Sequence, residues 1–253
     1  MNARPPRILA IAGSDSSGGA GIQADIKTIT MLGGYAMTAV TAVTAQNTRG
    51  VQAVETVSPE LVAAQMDACM ADIGVDAIKI GMLGSADIAE VVADRLEDLP
   101  CPIVFDPVMV ATSGSALADD ATIEIFEWLM ELATLTTPNV AELAALGGTQ
   151  AMATRKIAYL AKGGDADGVM VEDRLVQPGQ DDTVWSAARI VTKHTHGTGC
   201  TLSSAIATRL AFGDRLSEAI ESGRKFVRSA LKTAPGFGLG NGPLGHHAVR
   251  LAD

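Results

Sequence analysis

Short apolar runs of strand length alternate with helical patterns along nearly the whole chain. Ile8-Leu9-Ala10-Ile11-Ala12 is apolar at every position, as a strand must be when both of its faces are covered. A Gly/Ser loop from Gly13 to Gly21 follows, then a helical pattern through Leu32. Thr38 to Ala45, Asp76 to Ile80, Pro102 to Phe105 and Leu135 to Thr137 repeat the strand signal. Helices are predicted from Ser58, where Pro59 and Glu60 suit a first turn, from the segment Gly81 to Ser85, and over Asp119 to Leu132. Ile157 to Ala161, Gly168 to Val176 and Val184 to Val191 read as further strands. Two long helices, Thr198 to Phe212 and Leu216 to Thr233, precede an irregular Gly-rich tail from Pro235 to Gly245. The alternation predicts an α/β fold, with a mostly parallel central sheet flanked by helices on both faces, in one domain over residues 1–253. In such sheets ligands bind beyond the carboxyl ends of the strands.

Composition narrows the partners. The 253 residues carry a net charge of −10 and no Lys/Arg block, which disfavours nucleic acid and anionic lipid. An anionic ligand would need a local site and a metal ion. No apolar stretch reaches the length of a membrane span. Cys69, Cys101 and Cys200 form no paired spacing, and Met1 to Pro6 lacks a leader's apolar region. A cytoplasmic protein is expected.

The strongest local signal is Thr195-His196-Gly197-Thr198-Gly199-Cys200-Thr201-Leu202-Ser203-Ser204-Ala205. Its glycines permit tight turns that point successive N–H groups into one concavity, and the following helix adds free N–H donors and a positive dipole end. Such a loop suits a phosphoryl group. Cys200 in the first turn is expected to have a depressed pKa and to serve as general base on a hydroxyl; a small side chain packed on the sheet is the other reading.

Other strand ends carry polar groups. The loop Gly13 to Gly21 has neither a Walker lysine motif nor the G-x-G-x-x-G spacing, so NAD is a poor fit. Asp25 lies in the next helix, where a carboxylate also simply complements a dipole. Gln46 and Asn47 offer amides to a heterocycle edge, and Met82 offers an apolar wall, though each also reads as an ordinary loop residue. Asp106, Asn139 and Glu142 could surround Mg²⁺ and nucleotide phosphates. Asp106 before Pro107 is also a turn residue, and Asn139 with Glu142 a capping box. His194, His196, His246 and His247 have no zinc spacing, and no G-x-S-x-G elbow is present.

Taken in order, Ala12 to Thr28, Thr44-Ala45-Gln46-Asn47-Thr48, Lys79-Ile80-Gly81-Met82-Leu83, Thr137 to Leu143 and Thr195 to Ser204 resemble the hydroxymethylpyrimidine/phosphomethylpyrimidine kinases of thiamin biosynthesis. The resemblance covers nearly the whole chain. It implies a three-layer ribokinase-like fold, a homodimer, ATP and Mg²⁺, and transfer of the γ-phosphoryl group to 4-amino-5-hydroxymethyl-2-methylpyrimidine and then to its monophosphate. By the same resemblance Gln46 bonds the aminopyrimidine, Asp25 contacts the substrate, and Gly13 and Met82 line its pocket. Cys200 is the base, and the amides of Gly197, Thr198, Gly199 and Cys200 form the anion hole. Lys162, Asn139 and Thr195 face ATP, and Asp106 and Glu142 face the metal.

One region departs from the family. Only a short segment separates Thr137 from Lys162-Gly163-Gly164-Asp165, where a long helix is usual, and Asp165 stands where His is usual. That spacing strains a parallel crossover. Pyridoxal kinase activity on the same scaffold and a pyrimidine-binding protein without catalysis are the competing readings. A Rossmann dehydrogenase is a third and weaker one.

Overall fold

The computed structural model describes residues 4–110 and 117–250, so residues 1–3 of the segment read for a leader lie outside it. Strands β1 (Arg7–Asp15), β2 (Tyr35–Asn47), β3 (Gly50–Thr56), β4 (Ala77–Ile80), β5 (Ile103–Phe105), β6 (Leu135–Thr136), β7 (Tyr159–Ala161), β8 (Met170–Val176) and β9 (Thr183–Ala188) join in one sheet. Their order is β3-β2-β1-β4-β5-β6-β7-β8-β9. The strands from β2 to β7 pair in parallel, while β3, β8 and β9 add antiparallel edges. The expected α/β architecture is therefore present, with helices on both faces.

Alternation along each strand divides the core into two layers. Leu9, Ile11, Ile78, Ile80, Ile103 and Phe105 pack beneath α2 (Pro59–Ala68), α3 (Ala86–Leu96) and α4 (Asp120–Leu132). Ile8, Ala10, Ala77 and Val104 pack on the other face, beneath α1 (Gly21–Met31), α7 (Thr198–Ala211) and α8 (Leu216–Lys232). The period of two in β1, β4 and β5 is what lets one apolar run feed both layers. Each fully buried Leu or Ile contributes about 1.5–3 kcal/mol. Phe105 and Phe126 meet edge to face at 5.0 Å.

The helix starts follow their capping residues. The Ser58 hydroxyl accepts from the Leu61 amide with Pro59 at the first position, Ser85 accepts from Ile88, and Asp119 accepts from Thr122. A widened turn, Cys69–Ile73, extends α2 and ends at Gly74, whose φ is +78°.

The structure differs from expectation in three places. β2 extends further in both directions, and β3 forms a hairpin with it that the sequence did not signal. Most β3 side chains are exposed, so it carries no apolar face to read. The segment before Lys162 forms two short helices, α5 (Val140–Ala145) and α6 (Gly148–Thr154), in place of one long one. They suffice to bring β7 parallel to β6, so the crossover closes without the expected strain.

Candidate active site

The carboxyl ends of the parallel strands open onto a cavity of about 740 Å³, within the usual size of a small-molecule site. Gln46 ends β2, Gly13 lies late in β1, and Met82 follows β4. Asp106 follows β5, Asn139 follows β6 and Lys162 follows β7, and all of these line the cavity. Sheet order thus places Gln46, Gly13 and Met82 toward one end and Lys162 toward the other. Thr195 and the turn Gly197 to Cys200 also line it, along with Glu142.

That turn begins α7 at Gly197, whose φ is +87°. A β-carbon there would run into the Gly19 carbonyl, so both backbone angle and space demand glycine. A β-carbon on Gly199 would lie 3.3 Å from Asp106 Oδ2 and 3.4 Å from Lys162 Nζ, so the turn passes directly over these charges.

Cys200 sits at this turn, half-buried. Its pKa is not depressed as the helix position suggests. Burial pushes the thiol up to about 11, with Asp25 and Asp106 adding to the rise and Lys79 opposing it. The Gly21 amide also donates to the sulfur and favours the thiolate.

On the Gln46 side, the loop after β1 is organised by one carboxylate. Asp15 accepts from the amides of Ser17 at 2.8 Å, Gly19 at 3.0 Å and Ala20 at 2.8 Å, and its Oδ2 lies 2.8 Å from His196 Nε2. Burial works against this charge, but hydrogen bonds from His196, Ser17 and Ala20 outweigh it and hold the carboxyl at about 2. His196 Nε2 is also 3.3 Å from Gln46 Nε2, and Gln46 Oε1 is 3.2 Å from Thr44 Oγ1. The Gln46 carboxamide thus lies between His196 and Thr44 where it lines the cavity.

On the opposite side, Lys162 Nζ lies 2.7 Å from Asp106 Oδ1 and 3.6 Å from Glu142 Oε2. Burial opposes the ammonium, but the two carboxylates outweigh it and raise its pKa. Burial also pushes Glu142 up to about 6, against the pull of Lys162. Thr137 donates to Asp106 Oδ1 at 3.0 Å. Asn139 and Glu142 do form the capping box of α5, with mutual bonds of 2.7 and 2.9 Å. Among the described residues no three His, Cys, Asp or Glu side chains gather as a metal cage. The carboxylates of Asp106 and Glu142 at the cavity wall still fit Mg²⁺, which is bound through few protein groups together with phosphates and water.

Asp25 is where the site differs most from expectation. It is fully buried and does not line the cavity. Its Oδ2 accepts from Lys79 at 3.0 Å and its Oδ1 from Ser204 at 2.7 Å, so its partners are protein groups beneath α7.

Residue types alone also missed several members. Asp15 and His196 lie far apart in sequence and meet only in the fold. Asp173 accepts from the Gly163 amide at 3.0 Å and from Arg224 at 2.6 Å. Arg189 donates to the carbonyls of Gly164 at 2.7 Å, Gly168 at 2.7 Å and Ala166. These groups fix the loop after β7, where Asp165 lines the cavity. Lys79 did leave a signal: a charge inside a strand that is otherwise apolar.

The phosphomethylpyrimidine kinase family model matches residues 15–245. The chain belongs to this family. It is 46% identical over 255 residues to the hydroxymethylpyrimidine/phosphomethylpyrimidine kinase of Rhizobium meliloti (strain 1021), covering 94% of this chain and 96% of that one. The solved phosphomethylpyrimidine kinase from Clostridium difficile 630 matches with a TM-score of 0.75 and 36% identity, covering 89% of this chain and 99% of that one. A pyridoxal kinase from Staphylococcus aureus, in complex with AMP-PCP and pyridoxal, matches at 0.86 and 31%, covering 97% and 95%. Family membership agrees with the ribokinase-like resemblance, and no described helix is long and apolar enough to cross a membrane.

Proposed function

We propose that the chain transfers the γ-phosphoryl group of ATP to the hydroxymethyl oxygen of 4-amino-5-hydroxymethyl-2-methylpyrimidine, and then to the resulting monophosphate, in thiamin biosynthesis. One observation carries this reading. The Gln46 amide, the turn at Gly197 to Cys200 and the Lys162 ammonium line one cavity, with His196 just before the turn beside Gln46 and Gly199 within it beside Lys162. That is the order a hydroxymethyl heterocycle, a transferring phosphoryl group and ADP require.

The Gln46 carboxamide presents both a donor and an acceptor, which matches an exocyclic amine beside a ring nitrogen. Gly13 and Met82 form an apolar wall for the ring. The amides of Gly197, Gly199 and Cys200 receive the phosphoryl oxygens, while the Thr198 amide, expected to join them, donates to the Thr195 carbonyl at 3.2 Å. As the hydroxymethyl oxygen bonds to the γ-phosphorus and the bond to ADP breaks, the hydroxyl proton passes to the Cys200 sulfur, which reacts from the minor fraction present as thiolate and becomes the neutral thiol. The Lys162 ammonium attracts the phosphates, with Thr195 and Asn139 toward the nucleotide. Mg²⁺, held by Asp106 and Glu142 together with the phosphates, would neutralise phosphate charge.

Pyridoxal is the second substrate to consider, because a structural neighbour holds it alongside AMP-PCP. Coupled assays with ATP and either compound decide between them: turnover of the pyrimidine is expected, and pyridoxal turnover without it would overturn the assignment. All nine strands among the described residues lie in one sheet, which supports a single domain. A homodimer is supported by the open edge at β3, beside which Val43 and Val54 are 53% and 42% exposed. Light scattering in solution tests it. The acidic composition and sparse cysteines support a cytoplasmic setting.

A further inference from the structure

Lys79 occupies a position that the strand pattern reserves for an apolar side chain. Ile78 and Ile80 serve the layer under α2 to α4, and Ala77 serves the layer under α7. Lys79 is on the α7 side with Ala77 and is fully buried. Gly81 makes room for it, since a β-carbon there would stand 2.7 Å from Lys79 Nζ. The ammonium donates to Asp25 Oδ2 at 3.0 Å, and Asp25 Oδ1 accepts from Ser204 at 2.7 Å. Ser204 lies one helical turn after Cys200 in α7. Both Asp25 oxygens therefore accept; burial pushes this carboxyl up, and the Lys79 charge and the Ser204 hydrogen bond oppose that rise. Burial works against the Lys79 charge, but Asp25, Cys200 and Asp106 outweigh it and push its pKa up to about 12.

A buried ion pair is a poor source of stability, because desolvation offsets the attraction. Its use must lie in what the charge faces. The charged groups acting on the Cys200 thiol are Lys79 from β4, Asp25 from α1, Asp106 after β5 and Lys162 after β7. Lys79 opposes the rise that burial, Asp25 and Asp106 cause in the thiol, and among described residues Asp25 is its one hydrogen-bond partner.

We propose that Lys79 is the positioning charge of the catalytic turn: held ionised under α7 by Asp25 and Ser204, it makes the Cys200 thiolate accessible. The functional importance of this coupling rests on the reading of Cys200 as base. Asp25 thereby acts through Lys79 and not on the substrate.

The test is alkylation of Cys200 by iodoacetamide, followed at fixed mildly alkaline pH by mass spectrometry of the Cys200 peptide. Thermal melting is recorded alongside. Lys79→Met should slow the modification about tenfold, the equivalent of one pKa unit. At the same pH, kcat should fall by a similar factor with the pyrimidine KM unchanged. Should Lys79→Met fail to fold, Lys79→Met with Asp25→Asn removes both charges together and should still show slowed alkylation. A native alkylation rate in whichever of these variants folds overturns the proposal. Cys200→Ala separates the two readings: full activity there removes the base and leaves the coupling to be judged by alkylation alone.

Discussion

The imidazole of His196 stands 2.8 Å from the carboxylate of Asp15, joining the loop after β1 to the turn before α7. The same nitrogen lies beside Gln46, so the contact ties Gln46 to the turn at Gly197 to Cys200. His196→Ala leaves the buried Asp15 without this donor and removes the ring that stands beside Gln46. The pyrimidine KM should rise about tenfold, as for a lost buried hydrogen bond, with the KM for ATP unchanged. Steady-state kinetics against each substrate check this, and an unaltered pyrimidine KM contradicts it.

Asp15 should also leave a mark on acid stability. Its folded pKa of about 2 lies below the ordinary 3.8, so the unfolded chain takes up the proton first as pH falls. The stabilisation is complete above about pH 5 and is lost toward pH 2, a change of about 2 kcal/mol. Asp15→Asn should be less stable than the native protein at neutral pH, with the gap narrowing on acidification. Urea unfolding at a series of pH values measures it.

Lys162→Met removes the cation between Asp106 and Glu142. The KM for ATP should rise about tenfold or more and kcat should fall, while pyrimidine binding measured without nucleotide stays near native. Calorimetric titration with each ligand distinguishes this from a general loss of structure.

Gly197→Ala places a β-carbon against the Gly19 carbonyl at a φ of +87°. A destabilisation of about 1–3 kcal/mol is expected from the backbone angle alone, with activity falling further because the turn must shift. Thermal melts and turnover of the same preparation test both parts.

The layered fold was readable because strands covered on both faces leave continuous apolar runs, as Ile8 to Ala12 does. β3 was not readable, since exposed side chains leave its hydrogen bonds to β2 as the main reason it is a strand. Of the site, the turn at Gly197 to Cys200 was legible because glycines before a helix carry a local geometric meaning. Asp106 and Gln46 were legible as polar groups at strand ends, whereas Lys162 came only through the family resemblance. Asp15 with His196, and Lys79 with Asp25, were not, because each pair is made by tertiary contact between distant segments. The thiol pKa was misjudged for a related reason: the helix position is local, whereas the burial that outweighs it belongs to the fold.

Cys200 as the base is the central claim, and turnover of Cys200→Ala with ATP and the hydroxymethylpyrimidine tests it most directly. Because burial pushes the thiol of the free protein up to about 11, the native kcat/KM should climb with pH through the neutral and alkaline range. The variant should lose this climb and about 10²–10⁴ of the rate, with pyrimidine binding retained. Phosphorylation of the monophosphate, whose oxygens are already ionised, should suffer less. A variant that keeps the native rate and the native pH profile on the hydroxymethyl substrate would contradict the account.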